Sequence, residues 1–348
     1  MITRDQIYTM LMMKKRSDTL FSALPLDLIK QISDYGQNPN SDIATALKHA
    51  AYARQEDVEA LLGMLDENPG LLLQAGNVQT PGGNEVRRVT LYEFLLGAGD
   101  DELAGIVQGY FAKIENGELI RIQQYERYRP HIESMLNQKP YDILPLIELI
   151  KKATPEQVQA LLNKDMTGDN DLCKAFIQFR KDWAPKVLTE PCMHYNYASL
   201  KFALKVLDRE WKNLYNASDE NYEKINLVWR QLIGFEMRRL PGLDRCVIAQ
   251  GVRNVTEGKE VLARTYTFKN GGAVSSFPVT ITDDSIDGPG GDFAVYDPGE
   301  SISWITGPGM GPWPSAWWQI GVLMSNKNFK LAALMPEPTH QPSWCVIS

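Results

Sequence analysis

Two short stretches carry side chains of the kinds that do chemistry in proteins. Cys192 and His194 stand two residues apart, and a histidine beside a thiol can lower the pKa of that thiol and make it a nucleophile. No third residue can be assigned to orient the histidine, so a structural role is the simpler interpretation. An acidic group among glycines offers oxygen ligands for a hard cation but lacks EF-hand spacing, and a solvated loop is the simpler interpretation there. Its members are Asp283, Asp284, Asp287, Asp292, Asp297 and Glu300.

The last four residues of the sequence, Cys345 to Ser348, match the C-a-a-X prenylation pattern. In that pattern the thiol accepts the lipid, two aliphatic residues fill the transferase pocket, and a terminal serine favours farnesyl. Prolines at 336, 338 and 342 predict an extended tail that an enzyme could reach. The pattern predicts a farnesyl group on Cys345 and membrane association through it. One lipid chain binds membranes only marginally, so a second membrane contact would be needed.

Composition narrows the function classes. The net charge of -7 over 348 residues argues against a nucleic-acid partner, which requires a positive surface. The four cysteines are widely spaced, without a Cys-x-x-Cys pair, and therefore indicate neither disulfides nor a zinc site. No N-terminal signal peptide is predicted, and no run reaches the roughly 20 apolar residues of a membrane span. The sequence assigns no catalytic residue, cofactor or metal site.

The most informative stretch predicts a pair of packed helices. Residues 45–51 read Thr-Ala-Leu-Lys-His-Ala-Ala, and an Asp-Val pair at 57–58 and leucines at 61–62 follow. The paired alanines allow close approach of a second helix. Its predicted apolar face carries Val58, Leu61, Leu62 and Leu65. Asp42 is the predicted cap. The stretch resembles the ankyrin repeat, in which threonine, an alanine pair and an acidic-valine pair recur at these places.

A second copy follows after an insertion. Residues 90–92 read Thr-Leu-Tyr, leucines stand in place of the alanine pair, and Gly99 matches the turn glycine. The two threonines lie further apart than the roughly 33 residues of an ankyrin repeat. The extra residues, 78–89, predict a β-hairpin around a Pro-Gly-Gly-Asn turn. In ankyrin folds this β-finger projects and touches partners, and the predicted contact residues here are Gln79, Asn84, Arg87 and Arg88.

The rest of the sequence predicts a mainly α fold with a small C-terminal α+β part. A third helix pair is predicted over 143–162, with a capping box at Thr154 to Gln157. Helical patterns continue to about 262. Short strands are expected from 265 to 305, among Gly-Pro loops, and a last helix over 317–334. Four regions are predicted: an N-terminal helical cap (1–41), ankyrin-like helix pairs (42–165), a helical domain with short C-terminal strands (166–335), and a proline-rich tail (336–348).

A helix near the N-terminus resembles the first helix of an F-box, the module that docks on the adaptor of ubiquitin ligases. It reads Leu-Pro-Leu-Asp-Leu-Ile from residue 24. The second half of an F-box does not follow, and a cap on the helix stack is the alternative interpretation. The residues that would contact the adaptor are Leu24, Pro25, Leu28 and Ile29.

As a whole, the sequence resembles a family of ankyrin-like proteins of intravacuolar bacterial pathogens. The residues that carry the resemblance are Leu24–Ile32, Thr45–Leu62, Thr90–Leu103, Trp229–Gly234 and Asp292–Tyr296. It implies a virulence effector that a type IV system secretes into the host cytosol, where it binds a host protein at host or vacuolar membranes, with no enzyme activity. Two alternatives stay open: an enzyme with its site in the Gly- and Trp-rich C-terminal unit near Asp292 and Trp304, and a ubiquitin-ligase adaptor.

Overall fold

The computed structural model describes residues 41–214, 219–258, 260–270, 273–276, 279 and 316–335. Over these residues the fold is mainly helical, with one three-stranded and one two-stranded sheet. The mainly α prediction is therefore confirmed at this level.

The first predicted helix pair forms α1 (Asp42–Tyr52) and α2 (Gln55–Glu67). Ser41 caps α1, because its Oγ accepts from the backbone N–H of Ala44. The predicted cap, Asp42, is instead the first helical residue. Ala53, with φ of 55°, ends α1, and the two-residue connection brings α2 back alongside it.

The predicted hairpin is also confirmed. A 3-10 turn (Pro69–Leu73) leads into β1 (Ala75–Gln79), which pairs antiparallel with β2 (Glu85–Thr90). β2 pairs on its other side, in parallel, with the two-residue strand β3 (Val187–Leu188). The hairpin is thereby fixed to a segment about 100 residues further along the chain, a contact that no local pattern predicts.

The second helix pair consists of α3 (Leu91–Ala98) and α4 (Asp101–Gln108). Thr90 and Glu93 form a capping box at the start of α3. Gly99, with φ of 72°, reverses the chain between the helices. All residues of α3 are buried, because α3 packs against α1, α4, β2 and a long polar helix, α5 (Gly117–Ser134).

Buried apolar residues form two cores. The first contains residues between Ile43 and Ile132, with Leu331, and the second contains residues between Met135 and Met324, with Ala53. The predicted third helix pair lies in the second core, and its capping box at Thr154 is confirmed. The division between the cores thus precedes the predicted domain boundary at 165. The helices of this part are α6 (Leu144–Lys152), α7 (Pro155–Leu162), α8 (Asp171–Trp183) and α9 (Tyr197–Leu214).

Within the predicted helical region, the segment from 219 to 237 changes helix type along its length. It forms α10 (Asp219–Leu227), a π-helical stretch (Val228–Ile233) and α11 (Gly234–Met237). Gly251, with φ of 104°, divides the next helical segment into two pieces. The two pieces are α12 (Gly242–Gln250) and α13 (Val252–Thr256).

The C-terminal part contains a hairpin and the last helix. β4 (Thr267–Asn270) pairs with β5 (Ala273–Ser276), within the range predicted to form short strands. Most of the remainder of that predicted range, up to residue 305, lies outside the described residues. The predicted last helix is confirmed as α14 (Ala316–Ala333). It packs against α9, α13 and α5 and so contacts both cores.

Candidate functional site

The β1–β2 hairpin carries the four predicted contact residues, but its turn is buried. Pro81, Gly82 and Gly83 are buried, and a Cβ at Gly82 would lie 2.6 Å from the backbone oxygen of Arg239. The turn therefore packs on the second core instead of projecting as a free finger. Gly82 fits there because it has no side chain.

Asn84 and Gln79 differ in what their side chains contact. The Asn84 amide donates to the backbone oxygen of His194 (3.1 Å), and its oxygen accepts from the backbone N–H of Lys186 (3.4 Å). Asn84 thus holds the hairpin to the chain before α9. Gln79 is exposed at the end of β1 and is open to a partner.

The two arginines of β2 are half-buried. The guanidinium of Arg87 donates to both carboxylate oxygens of Glu85, at 2.8 and 2.9 Å. Arg88 has φ of 56°, and its N–H donates to the side chain of Asn77 (3.0 Å), where the strand register shifts. The structure brings Gln79, Arg87 and Arg88 onto one hairpin and directs Asn84 inward.

The outward face of α2 is acidic and exposed, although Glu56 pairs with Arg54 (3.0 Å) and Asp66 pairs with Lys113 (3.1 Å). Its exposed residues recur at helical spacing and share one side. A Cβ at Gly63 would meet no atom within 4 Å. Hydrogen bonds from Lys113 and Tyr110 lower the pKa of Asp66. The α2 face consists of Glu56, Glu59, Ala60, Gly63, Asp66 and Glu67.

Buried ion pairs connect the helix pairs to the C-terminal half. The guanidinium of Arg264 donates to both carboxylate oxygens of Asp100, each at 3.0 Å, and also to Glu102. Asp100 in turn caps α4 by accepting from the N–H of Leu103 (2.9 Å). The side chains of Arg264 and Asp100 are 5% and 2% exposed, so this contact is shielded from water and salt.

A second buried pair lies close by. The ammonium of Lys327 on α14 lies 2.7 Å from Oδ1 of Asp244 on α12 and donates to the backbone oxygen of Gly99 (2.9 Å). The hydroxyl of Tyr197 donates to the other oxygen of Asp244. Burial raises the pKa of Asp244, and the Lys327 charge opposes that rise. These contacts hold the α3–α4 turn, α9, α12 and α14 together.

Cys192 and His194 do not form a nucleophilic pair. Burial raises the pKa of the Cys192 thiol and lowers the pKa of His194 to about 3, so both groups are neutral near pH 7. The His194 ring packs against Phe94 and Gly97, and neither ring nitrogen has a hydrogen-bond partner among the described residues. A structural role fits these contacts.

Two buried polar residues beside the π-helical stretch carry no recognisable sequence motif. Gln231 and Glu236 are fully buried, and their side-chain oxygens and nitrogen lack hydrogen-bond partners within the described part of the chain. Burial raises the pKa of Glu236 well above its usual value. Burial also lowers the pKa of nearby Arg239 to about 9, and the guanidinium of Arg239 donates to the backbone oxygens of Trp183 and Phe235. Burial therefore favours the protonated, neutral form of Glu236 over the carboxylate.

One surface groove lies between α7 and α10. Its volume is about 460 Å³, and its lining mixes amides, one acid and two bases around a single leucine. It is open and mainly polar, unlike the enclosed apolar pockets that usually bind small molecules. The lining residues are Gln159, Leu162, Asn163, Lys164, Glu223 and Arg230.

The other predicted sites lie outside the described residues. These are the acceptor Cys345, the F-box-like residues Leu24, Pro25, Leu28 and Ile29, and the C-terminal residues Asp292 and Trp304. They stay predictions. Among the described residues, no group of three or more His, Cys, Asp or Glu side chains is placed to hold a metal ion. None of the described helices combines the length and apolar character needed to cross a bilayer.

Comparisons with protein-family models, with curated proteins and with solved structures returned no match. Function is therefore inferred from the contacts, burial and charges of the described residues.

Proposed function

We propose that this protein acts by binding another protein, as an ankyrin-like scaffold whose helix pairs supply the contact surface. The observation that carries the proposal is the order and packing of α1–α2, the β1–β2 hairpin and α3–α4. Each pair turns within two residues, a hairpin joins the pairs, and α1 packs against α3. Stacked helix pairs of this kind typically present extended surfaces to protein partners.

Only part of this region can contact a partner. Because all residues of α3 are buried, the exposed surface of the helix pairs includes the α2 face and Gln79 on β1. The α2 face has small residues, Ala60 and Gly63, between its four acids. Small residues allow a partner backbone to come close, while the acids favour a partner with a lysine- or arginine-rich contact surface.

The resemblance to ankyrin-like effectors indicates where that partner is found. Members of that family act inside host cells, and the corresponding proposal here is a host protein. Rigid attachment supports this role, because the Arg264–Asp100 and Lys327–Asp244 pairs fix the helix pairs to the rest of the fold. A rigid surface loses less conformational entropy on binding than a mobile one.

The test is capture from a eukaryotic cell lysate with three forms of the full chain as bait. Glu59→Lys with Glu67→Lys reverses two charges on the α2 face. Glu115→Lys with Glu190→Lys, at exposed positions elsewhere, changes the net charge equally. The proposal predicts at least one protein that the wild type and the control capture equally and that the α2 variant captures about tenfold less. Identical captured sets from all three baits would contradict it.

The hairpin is tested in the same assay. Gln79→Ala with Arg87→Ala removes side chains from its exposed side. A smaller loss of the same protein is expected if the hairpin borders the contact surface. Circular dichroism of each bait before use separates lost binding from lost folding.

A further inference from the structure

The last helix, α14, exposes two large aromatic side chains. Trp318 is 59% exposed and Phe329 is 75% exposed. They are 11 residues apart, which is about three turns of an α-helix, so both lie on the same face. Val322, Ser325 and Ala332 occupy that face between and beyond them. We call Trp318, Val322, Ser325, Phe329 and Ala332 the α14 ridge.

Lysines lie on both flanks of the α14 ridge. α14 itself contains no acid, and its exposed lysine is Lys330, because Lys327 is buried against Asp244. On the neighbouring helix α9, Lys201 lies beside α14, because a Cβ at Gly321 would be 3.0 Å from its ammonium. Lys205 lies 5.5 Å from the ring centre of Trp317, which packs edge-on against Trp318. Lys330, which is 3.3 Å from Asp101, lies on the other flank.

A bilayer surface with anionic phospholipid matches this arrangement. Aromatic rings and aliphatic side chains on one face of a helix enter the region between headgroups and acyl chains, and flanking lysines bind the phosphates above it. The aromatic side chains of the α14 ridge can enter this interface to the depth of one ring.

We propose that the α14 ridge is a membrane-contact face. Trp318 and Phe329 insert at the interface of an anionic bilayer while Lys201 and Lys205 contact lipid phosphates. α14 then lies along the membrane. This proposal is independent of the scaffold function, since the ridge shares no residue with the α2 face. It requires no lipid on Cys345.

The experiment is vesicle flotation with the full recombinant chain carrying no attached lipid. Vesicles of phosphatidylcholine alone are compared with vesicles that also contain phosphatidylserine. Binding is expected with phosphatidylserine, and it should weaken as salt is raised. Trp318→Ser with Phe329→Ser should weaken binding at least about tenfold, because two apolar side chains no longer leave water. Lys201→Gln and Lys205→Gln should each weaken it about fivefold.

Ile177→Ser on α8 is the matched control. Ile177 is 47% exposed and lies on a helix that packs against α6 instead of α14. Its replacement should leave vesicle binding unchanged. Failure of the wild type to float, equal flotation of the Trp318/Phe329 variant, or an equal loss in the Ile177 variant would each overturn the proposal. Self-association that depends on Trp318 and Phe329, without vesicle binding, would assign the ridge to a second copy of the chain and overturn it as well.

Discussion

Two buried glutamates differ in whether their carboxylates have hydrogen-bond partners. In the first core, Glu93 is 1% exposed, and its carboxylate accepts from Arg127 and from the backbone N–H of Thr90. In the second core, Glu236 is 0% exposed, and neither carboxylate oxygen has a partner among the described residues. A paired buried acid fixes local geometry, whereas an unpaired one opposes folding whenever it is ionised.

The difference extends beyond these two residues. Around the helix pairs, Asp57 accepts from His49 and Arg54, and Asp100 accepts from Arg264. Beside the π-helical stretch, Gln231 is buried without a partner in the described part of the chain. The region proposed to bind a protein is therefore held in place by paired polar side chains. The region around Glu236 instead contains buried polar side chains without described partners, which is unfavourable for folding.

The largest effect is expected from Asp100→Ala. The change leaves the Arg264 charge buried and removes the cap of α4, so the free energy of unfolding should fall by about 3–5 kcal/mol in chemical denaturation. Lys330→Ala is the control, because it removes a salt bridge to Asp101 in which the lysine is 63% exposed. This change should alter the free energy of unfolding by less than about 1 kcal/mol. Similar losses from both variants would mean that burial does not strengthen the Asp100 contact.

Glu236→Gln should stabilise the protein. The folded pKa of Glu236 is raised, so the folded state holds its proton to higher pH than the unfolded state does. Stability is therefore lost as pH rises above the unfolded pKa, near 4.5, towards the folded pKa. Because the amide cannot ionise, the free energy of unfolding of the variant at pH 7 should be higher than that of the wild type. The gain should disappear below about pH 4, and an equal gain at both pH values would refute the assignment.

Glu93→Gln should destabilise the protein, in contrast to Glu236→Gln. The amide keeps the shape but loses the charged contact with Arg127, whose side chain is 56% exposed. A decrease of about 1 kcal/mol at pH 7 is expected from thermal or denaturant unfolding. An increase in stability would remove the contrast between the two glutamates.

The smallest effect is expected at a helix start in the second core. Thr154 caps α7, because its side chain accepts from the backbone N–H of Gln157. The side-chain oxygen of Gln157 in turn accepts from the backbone N–H of Thr154. Thr154→Ala should reduce stability by about 0.5–1 kcal/mol. Ser134→Ala, which removes an exposed hydroxyl bonded to the backbone of His131, should have less effect.

The helices and the hairpin were predicted well, because they depend on signals within a few residues. These signals are the spacing of apolar residues, the capping residue Thr154 and the Gly-Gly turn. They did not predict the pairing of β2 with β3, the buried hairpin turn, or the inward use of Asn84, all of which depend on distant segments. Glu236 stands in an ordinary amphipathic pattern, so its unpaired burial was not predictable from spacing. Which face of α14 is exposed, with Trp318 and Phe329 on it, likewise depends on tertiary packing and not on local spacing.

The most direct test of the scaffold proposal places a photo-crosslinking side chain at Gly63, where added atoms meet open space. Irradiation in eukaryotic cells that contain the full chain should attach one defined protein at this position, and Glu59→Lys with Glu67→Lys should abolish the product. The same group at exposed Gln178 on α8 should not give that product. Absence of a crosslink at Gly63, or the same product from Gln178, would contradict binding along the α2 face.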